Sequence, residues 1–216
     1  MLKAPPNKIV VKVPHKYIRS ITGLLKRASI ENASTVDPSD FVNIFGDVVA
    51  VPNKCFDRPG LEGYSAEGVE VGDRIMFSYR VIHDVKQLRP EADPAHVNCV
   101  FWNGEEYFYV DTSNLYAVIK DGQVYMKNGY VMLRKYVDNL IMLSNKDKKL
   151  RGVVESEILA IGEPRKHMKK IQAQIGDTAM YSPFVPVKYE VWENKPFVIV
   201  PQHKILAIHK KYLVNI

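Results

Sequence analysis

Only two cysteines, Cys55 and Cys99, occur in 216 residues. Two thiols cannot make a disulfide framework or a structural zinc site. They are expected as free thiols, buried or half-buried, in a reducing compartment. Long apolar runs are lacking too. No window approaches the roughly 18 consecutive apolar residues of a membrane span, so no membrane partner is expected. The first residues, "MLKAPPNK", are polar and broken by proline, without the apolar region of a signal peptide. The expected location is the cytoplasm. Catalytic spacings are also missing. There is no GxSxG nucleophile elbow and no GxGxxG dinucleotide turn. The histidines His15, His83, His96, His167, His203 and His209 are scattered, with no HExxH-type ligand spacing. They read as solvated or packed side chains. No enzyme activity, metal or cofactor is expected.

Sustained helical periodicity is equally scarce, because no segment carries a 3.6-residue apolar period with caps at both ends. What is there is β. "KIVVKV" (Lys8 to Val13), "GDVVAV" (Gly46 to Val51), "DRIMFSYRV" (Asp73 to Val81) and "EYFYVD" (Glu106 to Asp111) are short and β-branched or aromatic. Gly, Pro, Asn or Asp bound them. "GYVMLRK", "VVESEILAI", "DTAMYS" and "PFVIV" carry the same signals later. Many short strands with Gly and Pro turns predict an all-β chain of small barrels or sandwiches with little helix.

The sequence also repeats itself. "IVVKV" (Ile9 to Val13) matches "VMLRK" (Val131 to Lys135) at an offset of 122. "VVAVP" (Val48 to Pro52) matches "ILAIG" (Ile158 to Gly162) at 110. "VEVGDRIMF" (Val69 to Phe77) matches "AQIGDTAMY" (Ala173 to Tyr181) at 104, and "YFYVDTSNLYAVI" (Tyr107 to Ile119) matches "FVIVPQHKILAIH" (Phe197 to His209) at 90. The order is kept and the offset falls stepwise. A duplicated domain with loop insertions in its first copy gives that pattern, since loops tolerate insertion. The expected domains are 1–122 and 123–216, with "KDGQVYMKN" (Lys120 to Asn128) joining the copies. Both have usual domain size.

Each half resembles the chaperonin-10 family, the GroES-type co-chaperonins. The second half carries an early strand, then Ile141, Met142 and Leu143 in a polar loop, then "RGVVESEILAIG". "IGD" before a strand and a closing "HKILAI" follow, like the family's Val-Gly-Asp and Ile-Leu-Ala-Ile. In the first half "TGLLKRAS" (Thr22 to Ser29) resembles the family's Gly-Gly-apolar-apolar-Leu stretch, with Gly23, Leu24 and Leu25 in place. This first loop is longer and more charged. The basic "RKHMKKIQAQ" (Arg165 to Gln174) corresponds to the family's roof hairpin and is shorter than usual.

The resemblance implies two tandem GroES-like small β-barrels with long loops. It implies a co-chaperonin that caps a large GroEL-type chaperonin ring and self-associates into a ring or other homo-oligomer. Leu140, Ile141, Met142 and Leu143, with Gly23, Leu24 and Leu25, would contact that partner from mobile loops. Segments Ser20 to Asp40 and Asp138 to Lys149 are accordingly expected to be the most mobile internal ones. The lid itself would bind no nucleotide. Medium-chain dehydrogenases share the GroES-like barrel, but they add a dinucleotide domain and Cys-based zinc sites, which this chain lacks.

Burying one Leu, Ile or Met yields about 1.5–3 kcal/mol, while ordering a loop costs about 1–2 kcal/mol per backbone residue. One loop binds weakly; several on one ring bind by avidity. The plain alternative is that Leu140 to Leu143 forms a buried strand of its own barrel. Two other functions remain open. The net charge of +6 and the runs "KDKKLR" (Lys146 to Arg151) and "RKHMKK" (Arg165 to Lys170) could suit nucleic acid. Neither run is interleaved with the aromatics that stack on single strands, which disfavours that reading. A structural assembly protein that borrows the barrel is the third. Salt-dependent DNA binding lost on charge reversal at Lys169 and Lys170 would mark the second. Fixed stoichiometry in a larger particle, without chaperonin binding, would mark the third.

Overall fold

The structure, a computed structural model, describes residues 2–14, 45–78, 81–82, 98–134, 154–182, 188–192 and 195–211. They form thirteen strands. These are β1 (Lys8–Lys12), β2 (Phe45–Ala50), β3 (Arg74–Phe77), β4 (Cys99–Trp102), β5 (Glu105–Asp111), β6 (Leu115–Lys120) and β7 (Gln123–Met126), then β8 (Tyr130–Arg134), β9 (Val154–Ile161), β10 (Thr178–Tyr181), β11 (Lys188–Trp192), β12 (Lys195–Pro201) and β13 (Ile205–His209). All named ladders are antiparallel. The chain is therefore mostly β, in two sheets, ordered β4-β5-β1-β2-β3-β6-β7 and β11-β12-β8-β9-β10-β13. Among the described residues no ladder joins the outer strands of either sheet, so no closed barrel is found there.

Set side by side, the two orders are the same six strands, with β7 added to the first sheet. The sequence offsets reappear as spatial equivalences. Val10 pairs with Ala50 and Tyr109, and Met132 with Ala160 and Ile199. Bulges repeat as well. The register slips between Val10 and Val11 and between Met132 and Leu133. It slips again between Met76 and Phe77 and between Met180 and Tyr181. A bulge lets two consecutive residues share a face. The "VGD" and "IGD" turns match atom for atom. The Gly72 N–H donates to the Val48 carbonyl and the Gly176 N–H to the Ile158 carbonyl, both at 2.9–2.8 Å. Gly72 and Gly176 have φ of 96° and 94°, where a side chain would be strained.

The described residues form three apolar clusters. Ile9, Val11, Ile75, Phe77, Phe108 and Leu115 lie within the first sheet's cluster. Val131, Leu133, Ile158, Ala179, Val198 and Val200 lie within the second's. The third cluster spans both sheets. Phe45, Met76, Tyr116, Ala117 and Ile119 of the first meet Met132, Phe197 and Ile199 of the second, with Met126 from β7. Tyr116 and Tyr130 pack edge to face there, centroids 4.9 Å apart.

The segment Lys120 to Asn128, expected as a connector, is a hairpin. Asp121 and Gly122 both take positive φ, 51° and 75°, as a two-residue primed turn requires, and β7 follows. Neither cysteine is in a disulfide. Cys99 is half-buried against the first cluster, but Cys55 is exposed in the coil after β2, so the expectation of burial is wrong there.

Gly162, just after β9, lies against the backbone of Met126 and Tyr130. A Cβ there would meet the Met126 carbonyl carbon at 2.8 Å and the Tyr130 carbonyl oxygen at 2.9 Å. Backbone cannot swing aside as a side-chain tip can. Gly162→Ala is expected to cost about 1–3 kcal/mol by overpacking, measured by urea unfolding. An unchanged midpoint would contradict this packing.

Candidate functional site

The sequence singles out seven residues in two loops. Gly23, Leu24, Leu25, Leu140, Ile141, Met142 and Leu143 all lie outside the described residues, as do the two segments expected to be mobile. What the structure fixes is where those loops are rooted. The first connects β1 to β2 and the second β8 to β9, which are equivalent strand pairs in the two sheets. Both loops therefore leave from the same rung of the same repeat.

Charged side chains ring those roots. Arg74 Nε bonds Asp47 at 2.9 Å and Lys12 pairs with Glu105 in the first sheet. Arg134 Nε bonds Glu157 at 2.7 Å in the second, at the positions equivalent to Lys12 and Asp47. Glu105 raises the Lys12 amine, chiefly through their hydrogen bond. These half-exposed pairs are screened by solvent and add little to stability.

At the other end of each sheet, coil replaces strand. The segment after β2 is pinned by named contacts. The Asn7 amide donates to the Phe56 carbonyl at 2.7 Å and its oxygen accepts from the Phe56 N–H at 2.8 Å. Arg58 donates to both Asp111 oxygens at 2.7 and 2.8 Å. Burial pushes the Asp111 carboxyl up, but Arg58 and Ser113 outweigh it and hold the group below the usual carboxylate range. This segment also touches the basic one of the second sheet. The Arg165 guanidinium lies 4.2 Å from the Tyr64 ring centroid, and Lys166 is 3.7 Å from Asp57. Lys170 pairs with Glu163 at 3.0 Å. Three cations of the run "RKHMKK" are thus engaged within the molecule, which counts against a free nucleic-acid face.

Asp177 anchors the turn before β10. It is 4% exposed and accepts from the Lys211 N–H at 3.0 Å, the Gln174 N–H at 2.8 Å and Lys210 Nζ at 3.1 Å. The backbone donors, Lys211 first, hold its carboxyl below the ordinary range. A carboxyl depressed in the folded state stabilises above its unfolded pKa, and that contribution is lost as pH falls through the folded pKa. Asp177→Asn is therefore expected to melt lower than the parent at neutral pH, with the gap closing as pH falls through the depressed folded pKa. Parallel melting curves at every pH would contradict the assignment.

Among the described residues no group of three or more His, Cys, Asp or Glu side chains could hold a metal ion, and no helix is long and apolar enough to cross a membrane. Sequence reading missed the junction between the sheets. Its signal was present in "VML" and "FVIV", unbroken apolar runs that a strand with one wet face does not need. No family model matches the chain, and no curated protein matches it.

Proposed function

We propose that this chain is a co-chaperonin of two tandem GroES-like barrels, residues 1–122 and 123–216, that caps a GroEL-type chaperonin ring in the cytoplasm. It assists folding without catalysis and without a nucleotide of its own. The observation that carries this reading is the coincidence of sequence and topology. Two apolar loop motifs, at Gly23 to Leu25 and Leu140 to Leu143, fall in the same strand connection of two sheets with the same strand order and the same bulges. An arbitrary pair of short apolar motifs has no reason to do so.

Closure of each sheet into a small barrel is part of the proposal. It is supported by the way one face of each sheet gathers its apolar residues into a single cluster. Two loops per chain also suit the energetics, because individually weak contacts multiply when several sites engage one ring. The test is refolding. A chaperonin-dependent enzyme diluted from denaturant into a GroEL-type ring and ATP should regain more activity when this protein is added. Equal yield with and without it would overturn the reading.

A further inference from the structure

Each candidate loop leaves its sheet beside a hairpin. β1 ends at Lys12, whose amine pairs with Glu105, the first residue of β5. The β4–β5 turn, Asn103-Gly104, therefore flanks the exit of the first loop. In the second sheet β8 ends at Arg134, which pairs in register with Phe197 near the start of β12. The end of β11 and the start of β12 flank the exit of the second loop in the same way.

The sequence marks both places. Trp102 and Trp192 are the only tryptophans in the chain. Trp102 pairs with Glu105 across its hairpin and Trp192 with Lys195 across the other. They occupy the same rung of the repeat, at the offset of 90 that relates β5 to β12. An apolar residue precedes each, Phe101 and Val191.

In the first sheet Phe101 is 71% exposed, and its register makes that unusual. Residues two apart on a strand line one face. Cys99, opposite the buried Phe108, packs against the first cluster, and Phe101 follows two residues on, opposite Glu106. Phe101 thus stands on the core-facing side of β4, past the end of the core. Asn103 and Gly104 have φ of 50° and 77°, the conformation of a primed two-residue turn, so the hairpin carrying Phe101 and Trp102 is tightly closed.

We infer that Phe101 and Trp102 form a second contact on the partner that the loops grip, against an apolar surface of the chaperonin ring next to where the first loop docks. This contact rests on the capping function. Position identifies the occupant. The loop leaves β1, one strand spacing of about 5 Å from β5, so a partner held by that loop is brought against the tip. Tryptophan is enriched among the few residues that carry most binding energy. A closed hairpin also has less freedom to lose on binding than a loop has.

The test titrates a GroEL-type ring, with ADP present, against the parent, Phe101→Ser with Trp102→Ser, and the Ile141→Ser, Leu143→Ser pair. The tip variant should bind roughly tenfold or more weakly with both loops intact, while its melting and sedimentation stay close to the parent. Phe101→Leu, which keeps apolar surface at the tip, should bind within about threefold of the parent. A tip variant that binds like the parent, while the 141/143 pair loses binding, would overturn the inference and leave the capping function standing. A parent that binds no ring removes both. A lowered melting point at unchanged ring affinity would mean that the chain covers the tip itself, and altered sedimentation at unchanged affinity that a second copy does. Either result overturns the inference, as would Phe101→Leu binding as weakly as the serine variant.

Discussion

Phe197→Ala should lower the stability of the whole chain by about 3–5 kcal/mol, the usual cost of truncating a buried phenylalanine. Phe197 is 1% exposed, yet it does not belong to the second sheet's own cluster. It points the other way, into the cluster shared with Phe45, Met76 and Ile119. The cavity left by the ring would open between the sheets, where β8 and β12 are buried on both sides. The loss should therefore weaken coupling as well as stability. Urea unfolding followed by fluorescence should shift to a lower midpoint and broaden as the two sheets begin to unfold separately. A shift worth less than about 1 kcal/mol would mean that the junction is incidental, far below the cost expected of a buried ring.

The second large effect concerns the loops. Ile141→Ser with Leu143→Ser should leave melting almost unchanged, since substitutions away from packed sites shift stability by within about 0.5 kcal/mol. Binding to a chaperonin ring should fall steeply. Each change removes an anchor worth about 1.5–3 kcal/mol on burial, so the pair should weaken one loop by roughly a hundredfold to ten-thousandfold. Avidity compounds that loss. Leu24→Ser with Leu25→Ser, measured in parallel, asks whether the first copy keeps the same role. The competing account makes Leu140 to Leu143 a buried strand. It requires the 141/143 pair to collapse the melting transition, at about 2–5 kcal/mol per large-to-small core change.

Much of the fold was legible because short β-branched runs bounded by Gly, Pro and Asn are strong local signals. β1, β5, β8 and β9 fall within a residue or so of where those runs stand. The repeat was legible too, because its offsets of 122, 110, 104 and 90 are the spatial equivalences of the two sheets. β4 and β7 escaped notice although their turns were written plainly. Asn103-Gly104 and Asp121-Gly122 are the residue pairs that primed hairpin turns favour, with φ of 50° and 77°, and 51° and 75°. The junction escaped for a different reason. Alternation marks a strand with one buried face, and β8 buries Val131, Met132 and Leu133 in succession on both. Nothing in a one-dimensional pattern says whether such a run meets a second layer of its own barrel or a neighbouring sheet. The loop residues have no period at all. They could be singled out only by resemblance, and in the sequence Leu140 to Leu143 reads equally as strand.

The claim that this chain caps a chaperonin is tested most directly by capture. The protein is immobilised, a purified GroEL-type ring is passed over it with and without ATP or ADP, and the retained ring is quantified. The account predicts retention with nucleotide, little without it, and loss of retention for the 141/143 serine pair at unchanged melting temperature. A folded parent protein that retains no ring in any nucleotide state would contradict it.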